Sequence, residues 1–156
     1  MIRAAERSDL RDIVPLLEEL DREGTRSDPR YRVRPEATAR MATTLGELWF
    51  DRFLPFPPCL IADVDGDVVG VVSALPAAAH PILADEPTAR IQQLYVRPEH
   101  RRRGLARELV HQMRMRANQA GYPRVEVSTL AMDARALGFW RATGFCDLRI
   151  VLAHPG

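Results

Sequence analysis

Hydrophobic positions along the chain change period several times, and each change marks an element. Leu10, Ile13, Leu17 and Leu20 recur at helical spacing behind Ser8 and Asp9, which read as a cap and an acidic first turn. They predict a helix over residues 9–22, kinked at Pro15, after a short strand at Ile2-Arg3-Ala4-Ala5. Residues 24–34 read as a polar loop. Pro35 stands where a second helix begins, with Ala39, Ala42, Leu45, Leu48 and Trp49 toward the core, and Phe53-Leu54-Pro55-Phe56-Pro57-Pro58 ends it.

The period then shortens to two. Cys59-Leu60-Ile61-Ala62 and Val68-Val69-Gly70-Val71-Val72 flank a turn at Asp63-Val64-Asp65-Gly66-Asp67, the clearest hairpin in the sequence. A loop rich in Ala and Pro, residues 76–89, leads to a strand over 91–96 that ends at Arg97-Pro98. A helix over 104–120 puts Leu105, Leu109, Met113 and Ala117 on one face and stops at Gly121 and Pro123. A strand at 125–129, a short helix at 134–142 and a final strand at 146–152 follow. This order predicts an α/β fold, a mixed sheet with helices on its faces. The strands on either side of the 104–120 helix must then run parallel, joined by that helix as a right-handed crossover.

Composition narrows the function classes. The 156 residues, 46% apolar and 28% charged, suit one soluble domain over residues 1–156. No apolar run approaches the ~18 residues of a membrane span, and the charged start Met1-Ile2-Arg3-Ala4-Ala5-Glu6-Arg7 lacks a secretory h-region, so a cytoplasmic location is expected. A net charge of +1 gives no general attraction to nucleic acid or membrane. Cys59 and Cys146 read as two buried, reduced thiols, and with the scattered His80, His100, His111 and His154 they match no metal pattern, so no metal is expected. All 22 basic side chains are arginine, which excludes Schiff-base catalysis and a P-loop NTPase, both of which need lysine.

The candidate chemistry lies at the start of the 104–120 helix. A strand ending at Val96, a turn through Arg97-Pro98-Glu99-His100 and a helix beginning at Gly104 bring unpaired N–H groups to a positive helix end. Gly104 lets a diphosphate approach the backbone, and Ala106 is small enough to keep that approach open. Arg101, Arg102 and Arg103 add charge where the helix dipole disfavours cations, which favours an anionic partner over a solvated corner. A nucleic-acid face would want wider basic surface and stacking aromatics, and neither is visible.

Arg101-x-x-Gly104-x-Ala106 matches the Q/R-x-x-G-x-G/A signature of the GNAT N-acetyltransferase family. Leu94-Tyr95-Val96-Arg97-Pro98-Glu99 looks like the strand that enters that loop in the family. Asp133-x-x-Ala136-x-x-Phe139-Trp140-x-x-x-Gly144-Phe145 resembles the family's N-x-x-A-x-x-L/F-Y-x-x-x-G-F segment. The resemblance covers residues 91–145 well and residues 1–75 in element order alone. It implies a centrally splayed sheet with acetyl-coenzyme A as co-substrate, the pantetheine arm lying between the 91–96 and 125–129 strands. Contacts would come from Leu94, Tyr95, Val96, Arg101, Arg102, Arg103, Gly104, Leu105, Ala106, Asp133 and Phe139. A primary amine of a small molecule, peptide or protein would attack the thioester directly, with a backbone N–H polarising its carbonyl.

The chain departs from the family at the catalytic positions. Arg90, Gln92 and Gln93 stand where a carboxylate is usual, Trp140 replaces the tyrosine that protonates the thiolate, and Asp133 replaces an asparagine. Indole N–H does not give up its proton near neutral pH, so Trp140 is a core aromatic or a wall of the thioester pocket. Glu126 is the candidate base, unless strand alternation points it to solvent. Asp21, Glu23 and Asp28 read as an exposed acidic face or as a receiver for a cationic acceptor. The missing acid and base leave a second class open, a module that binds acyl-coenzyme A without turning it over. Leu148, Ile150 and Leu152 on the last strand offer an edge for homodimer pairing.

Overall fold

The hairpin fixes the frame of the sheet. Asp65 and Gly66 take left-handed φ values of 54° and 90°, as a two-residue turn matched to strand twist requires, and Asp63 Oδ1 accepts the Gly66 N–H at 2.9 Å. This turn joins β2 (Cys59–Val64) to β3 (Asp67–Pro76). The computed structural model describes residues 1–34, 36–78, 82 and 86–154. Among these, β1 (Ile2–Ala4) pairs antiparallel with β2, β4 (Thr88–Val96) antiparallel with β3, and β5 (Arg124–Val127) parallel with β4. The result is one mixed sheet in the order β1-β2-β3-β4-β5.

Helices bury both faces, which is why seven successive residues of β3, Val68 to Ala74, are all buried. Four helices are assigned among the described residues: α1 (Leu10–Ser27), α2 (Ala37–Trp49), α3 (Leu105–Gln119) and α4 (Ala134–Ala142). On one face Leu10, Ile13, Leu16 and Leu17 of α1 and Leu45 and Trp49 of α2 meet Cys59, Ile61, Val71 and Tyr95. On the other, Leu109, Val110, Met113 and Ala117 of α3 and Trp140 of α4 meet Leu60, Ala62, Val72, Ile91 and Val96. Gly70 permits a close approach: a Cβ there would lie 3.2 Å from the Tyr95 carbonyl and 3.3 Å from Leu109 Cδ1. The parallel arrangement of β4 and β5 around α3 is the crossover that the element order predicts.

Several expectations are corrected. The first helix does not stop at residue 22 but runs to Ser27, across both Pro15 and Gly24. Gly24 is no loop signal because the Tyr31 ring packs on it, with Cε1 2.9 Å from where a Cβ would stand. In α2 the buried stripe is Leu45 and Trp49 with Met41 and Leu48 partly covered, while Ala39 and Ala42 are exposed; Pro35, the expected helix start, lies outside the described residues. Most of the 76–89 loop interior also lies outside them, and β3 and β4 extend into its two ends. No strand forms at 146–152. Leu148, Ile150 and Leu152 are 60%, 85% and 88% exposed, and Cys146 is exposed where a buried thiol is expected. Alternation marks a strand only where an edge accepts it, and this segment pairs with none among the described residues. No helix there is long and apolar enough to cross a membrane.

One ion pair joins the edge strand to the first helix. Arg3 donates to Asp9 Oδ2 and Oδ1 at 2.7 and 2.9 Å, and the Glu6 N–H donates to the same carboxylate at 2.7 Å. Hydrogen bonding from Arg3 outweighs desolvation and holds the Asp9 carboxyl below its ordinary range. A depressed folded pKa contributes stability above the unfolded pKa of ~3.9, and that stability is lost as pH falls through the folded value. Asp9→Asn should therefore lower unfolding free energy by about 2 kcal/mol at pH 7. Denaturant titrations should show the gap to wild type narrowing below pH ~4.

Candidate active site

The site begins where β5 leaves β4. The parallel ladder runs from Thr88↔Arg124 to Ile91↔Val127 and ends there. On its other edge β4 stays paired with β3 as far as Val96, with a register shift that leaves Gln92 as the extra residue between the Ala74↔Ile91 and Ser73↔Gln93 pairs. From Gln92 onward one edge of β4 has no strand beside it among the described residues. The Arg97 N–H donates to Val69 of β3 at 2.9 Å, so by alternation the backbone groups of Val96 and Leu94 face away from β3, into the splay. Arg101 Nε donates to the Val96 carbonyl at 2.7 Å, leaving the Val96 N–H and both Leu94 groups along that edge.

The loop after β4 turns this open edge toward a helix start. A single 3₁₀ turn at Pro98–His100 is followed by Arg102 at φ 62° and Gly104 at φ 82°. Two left-handed residues so close bend the chain into a concavity of N–H groups, the geometry that binds anions. Gly104 is the N-cap of α3, no side chain caps that end, and a Cβ on Gly104 would meet nothing within 4 Å. The first-turn N–H groups of Leu105, Ala106 and Arg107 accordingly have no protein acceptor among the described residues. Arg102 and Arg103 are exposed beside them, and Leu105 and Ala106 are half-buried.

Arg101 behaves differently from its neighbours. Its guanidinium turns inward, lies 5.1 Å over the Tyr95 ring, and donates to Glu23 Oε1 at 2.7 Å besides the Val96 carbonyl. The second Glu23 oxygen is held by Arg135 of α4. Burial alone would raise the Glu23 carboxyl, but the two guanidiniums outweigh it and hold it below its ordinary range. Burial also raises the Tyr95 phenol, aided by Glu23. From the sequence, Glu23 stands just past the expected end of the first helix, on an exposed acidic face or as a receiver for a cationic acceptor; α1 instead continues beyond residue 22, and Glu23 is a helical residue bound to Arg101 and Arg135. Of the other two acids, Asp21 accepts from the Tyr31 hydroxyl at 3.0 Å, and Asp28 is bound by Arg30 at 2.8 Å. Burial and the Asp21 charge push the Tyr31 phenol up to about 12.

The remaining candidates sit below or beside the splay. Asp133 caps α4, its Oδ1 accepting the Ala136 N–H at 2.9 Å. Trp140 is 8% exposed and makes edge contacts with Phe139 and Phe145 at ring separations of 5.0 and 5.1 Å. Its indole N–H reaches no acceptor among the described residues, so its contacts there are packing ones. Glu126 lies opposite Arg90 in the β4–β5 ladder and accepts from Arg90 at 3.4 Å and Arg149 at 2.6 Å. A pair that sequence reading did not foresee lies at the bulge, where the fully buried Ser73 hydroxyl donates to Gln93 Oε1. No cluster of His, Cys, Asp and Glu suited to a metal occurs among the described residues.

The acetyltransferase (GNAT) family model matches residues 16–145, a stretch that holds the opened sheet, the helix start at Gly104 and α4. The chain belongs to this family. Human N-acetyltransferase 8 and N-acetyltransferase 8B are each 33% identical to it over 90 residues, 54% of this chain and 37% of theirs. The matched region thus spans little more than a third of the length of these curated relatives. Among solved structures, an aminoglycoside N-acetyltransferase, AAC(6')-Iy, in complex with a bisubstrate analogue of coenzyme A shares the fold at TM-score 0.78 and 18% identity, with 100% of this chain and 97% of that chain covered. Glucosamine-6-phosphate N-acetyltransferase from Arabidopsis thaliana does so at TM-score 0.73 and 15% identity, covering 99% and 97%.

Packing at Trp140 is testable apart from any activity. Trp140→Ala removes a buried aromatic between two others and should cost about 3–5 kcal/mol of unfolding free energy. Trp140→Phe should cost no more than about 2 kcal/mol, both read by thermal or denaturant unfolding.

Proposed function

We propose that the protein transfers an acetyl group from acetyl-coenzyme A to a primary amine by direct attack. The observation that carries this is the continuity of the free β4 edge at Leu94 and Val96 with the uncapped α3 start at Gly104. An extended pantetheine arm would hydrogen-bond along the edge like an added strand, and the diphosphate would accept from the N–H groups of residues 103–106. Arg102 and Arg103 supply exposed positive charge beside that diphosphate. The thioester then lies at the splay, where a β4 N–H polarises its carbonyl and stabilises the oxyanion formed on attack. The solved aminoglycoside enzyme with its bisubstrate analogue supports the same placement of an amine acceptor beside coenzyme A.

The residues at the splay supply positioning more than proton transfer. Glu126 is engaged by two guanidiniums and Trp140 is packed, so neither is placed as a free base or acid. Coenzyme A thiolate is a tolerable leaving group near neutral pH, since an unperturbed thiol has a pKa of ~8.5, and water can return the proton. Catalysis then rests on orientation and carbonyl polarisation. No acyl-enzyme is required. Cys59 is buried in the core and burial pushes its thiol far up, out of thiolate range. A second reading, a module that binds acyl-coenzyme A without turnover, draws on the same engagement of Glu126 and packing of Trp140, and the two differ in thiol release.

An amine panel incubated with acetyl-coenzyme A should release free thiol with at least one acceptor; coenzyme A binding without release would favour the second reading. Gly104→Asp, which puts a carboxylate against the diphosphate and strains a left-handed position, should weaken coenzyme A at least ~100-fold by calorimetry with the fold retained. Wild-type affinity in that variant would displace the site. Cys59→Ser together with Cys146→Ser should leave turnover largely intact once folding is confirmed. Trp140→Phe should retain turnover within about tenfold, ~1.4 kcal/mol of barrier, whereas a loss of several orders of magnitude would place the indole N–H in the chemistry.

A further inference from the structure

The carboxylate of Glu23 joins three elements that border the splay. It lies on α1, one oxygen accepts from Arg101 of the loop after β4 at 2.7 Å, and the other is held by Arg135 of α4. Arg101 itself is fixed at three points: Glu23, the Val96 carbonyl at 2.7 Å, and the Tyr95 ring at 5.1 Å. These contacts occupy the inner face of the guanidinium and tie the last residue of β4 to the turn that follows it. The left-handed Arg102, at φ 62°, and Gly104, at φ 82°, come one and three residues after the pinned Arg101. A displacement of Arg101 would swing the N–H groups of the turn away from a common centre.

We propose that Glu23 is a positioning residue for coenzyme A: through Arg101 it sets the 101–106 turn, so that Arg101 acts on the backbone of the loop and not on the phosphates. The proposal rests on the reading of that turn as the diphosphate site. Simple electrostatics makes the opposite forecast. Glu23 is a negative charge close to a site for a polyanion, so neutralising it should tighten coenzyme A if charge alone decided the affinity. If position decides, removing it should weaken coenzyme A, because N–H donors displaced by about an ångström lose the geometry they need.

Four variants and two ligands separate these outcomes. In Glu23→Gln, coenzyme A affinity by calorimetry should fall about tenfold, while S-acetylpantetheine, which lacks the diphosphate, should bind as to wild type. In turnover assays the loss should appear in KM for acetyl-coenzyme A and leave kcat nearly unchanged. Arg101→Lys keeps the charge, but one ammonium cannot span both Val96 and Glu23, so it should behave like Arg101→Gln. Glu23→Gln added to Arg101→Gln should then cost little more than Arg101→Gln alone. Unchanged or tighter coenzyme A binding in Glu23→Gln, or wild-type affinity in Arg101→Lys, would overturn the proposal. Equal losses for coenzyme A and S-acetylpantetheine would overturn it in favour of a general structural role. Failure of the wild-type protein to bind coenzyme A would instead defeat the site assignment beneath it.

Discussion

The rest of the molecule depends on a conflict within β4. The strand must stay bonded to β3 along its whole length, because that edge carries the sheet, yet it must release β5 after four residue pairs. The extra residue at Gln92 falls just where the parallel ladder ends. A bulge bends a strand and increases its local twist, so one irregularity marks where the pleat changes on the β3 edge and the two parallel strands part on the other. The Ser73 hydroxyl bonded to Gln93 fills the buried polar position that this shift creates. The splay is therefore part of the hydrogen-bond pattern of the sheet, held open by a core that is closed on both faces.

Everything at the mouth of the splay follows from the crossover. A helix that connects two parallel strands must start near the C-terminal end of the first, so its positive end sits beside the gap. Gly70 lets α3 pack closely at this point, against the last residues of β4. The short turn leaves little room for regular backbone, and the two left-handed residues, Arg102 and Gly104, are the consequence. Strain of this kind persists where surrounding contacts fix it, and Arg101, just before these two residues, is held by Val96, Tyr95 and Glu23.

Charge in this region divides by direction. Arg102 and Arg103 face solvent at a helix end that disfavours them, an arrangement that favours an anionic ligand. Arg101 and Arg135 converge on one carboxylate that is only 18% exposed, where desolvation makes hydrogen-bonded partners necessary. Three consecutive arginines thus point two ways, Arg101 into the protein and Arg102 and Arg103 to solvent. The same division separates Glu126, engaged across the sheet by arginines from β4 and from the C-terminal segment, from a carboxylate free to accept a proton.

Local sequence determined the hairpin, the buried faces of α1 and α3, the mixed sheet and the Arg101–Ala106 loop, because each depends on contacts within a few residues or on a pattern that one element repeats. The motif residues around Asp133 and Phe139 likewise located α4 before any contact was known. Tertiary structure decided what depends on a neighbour outside the element itself. Gly24 resembles a stop signal until the Tyr31 ring is seen packed on it, and only the added helical turn brings Glu23 to Arg101. Leu148, Ile150 and Leu152 alternate like a strand but find no edge, and Cys146 stays exposed with them. Arg101 reads as a phosphate ligand by motif, whereas its direction follows from an acid 78 residues away. Periodicity reports which face of an element is apolar; which side chain meets it, and from how far along the chain, is settled only when the elements pack.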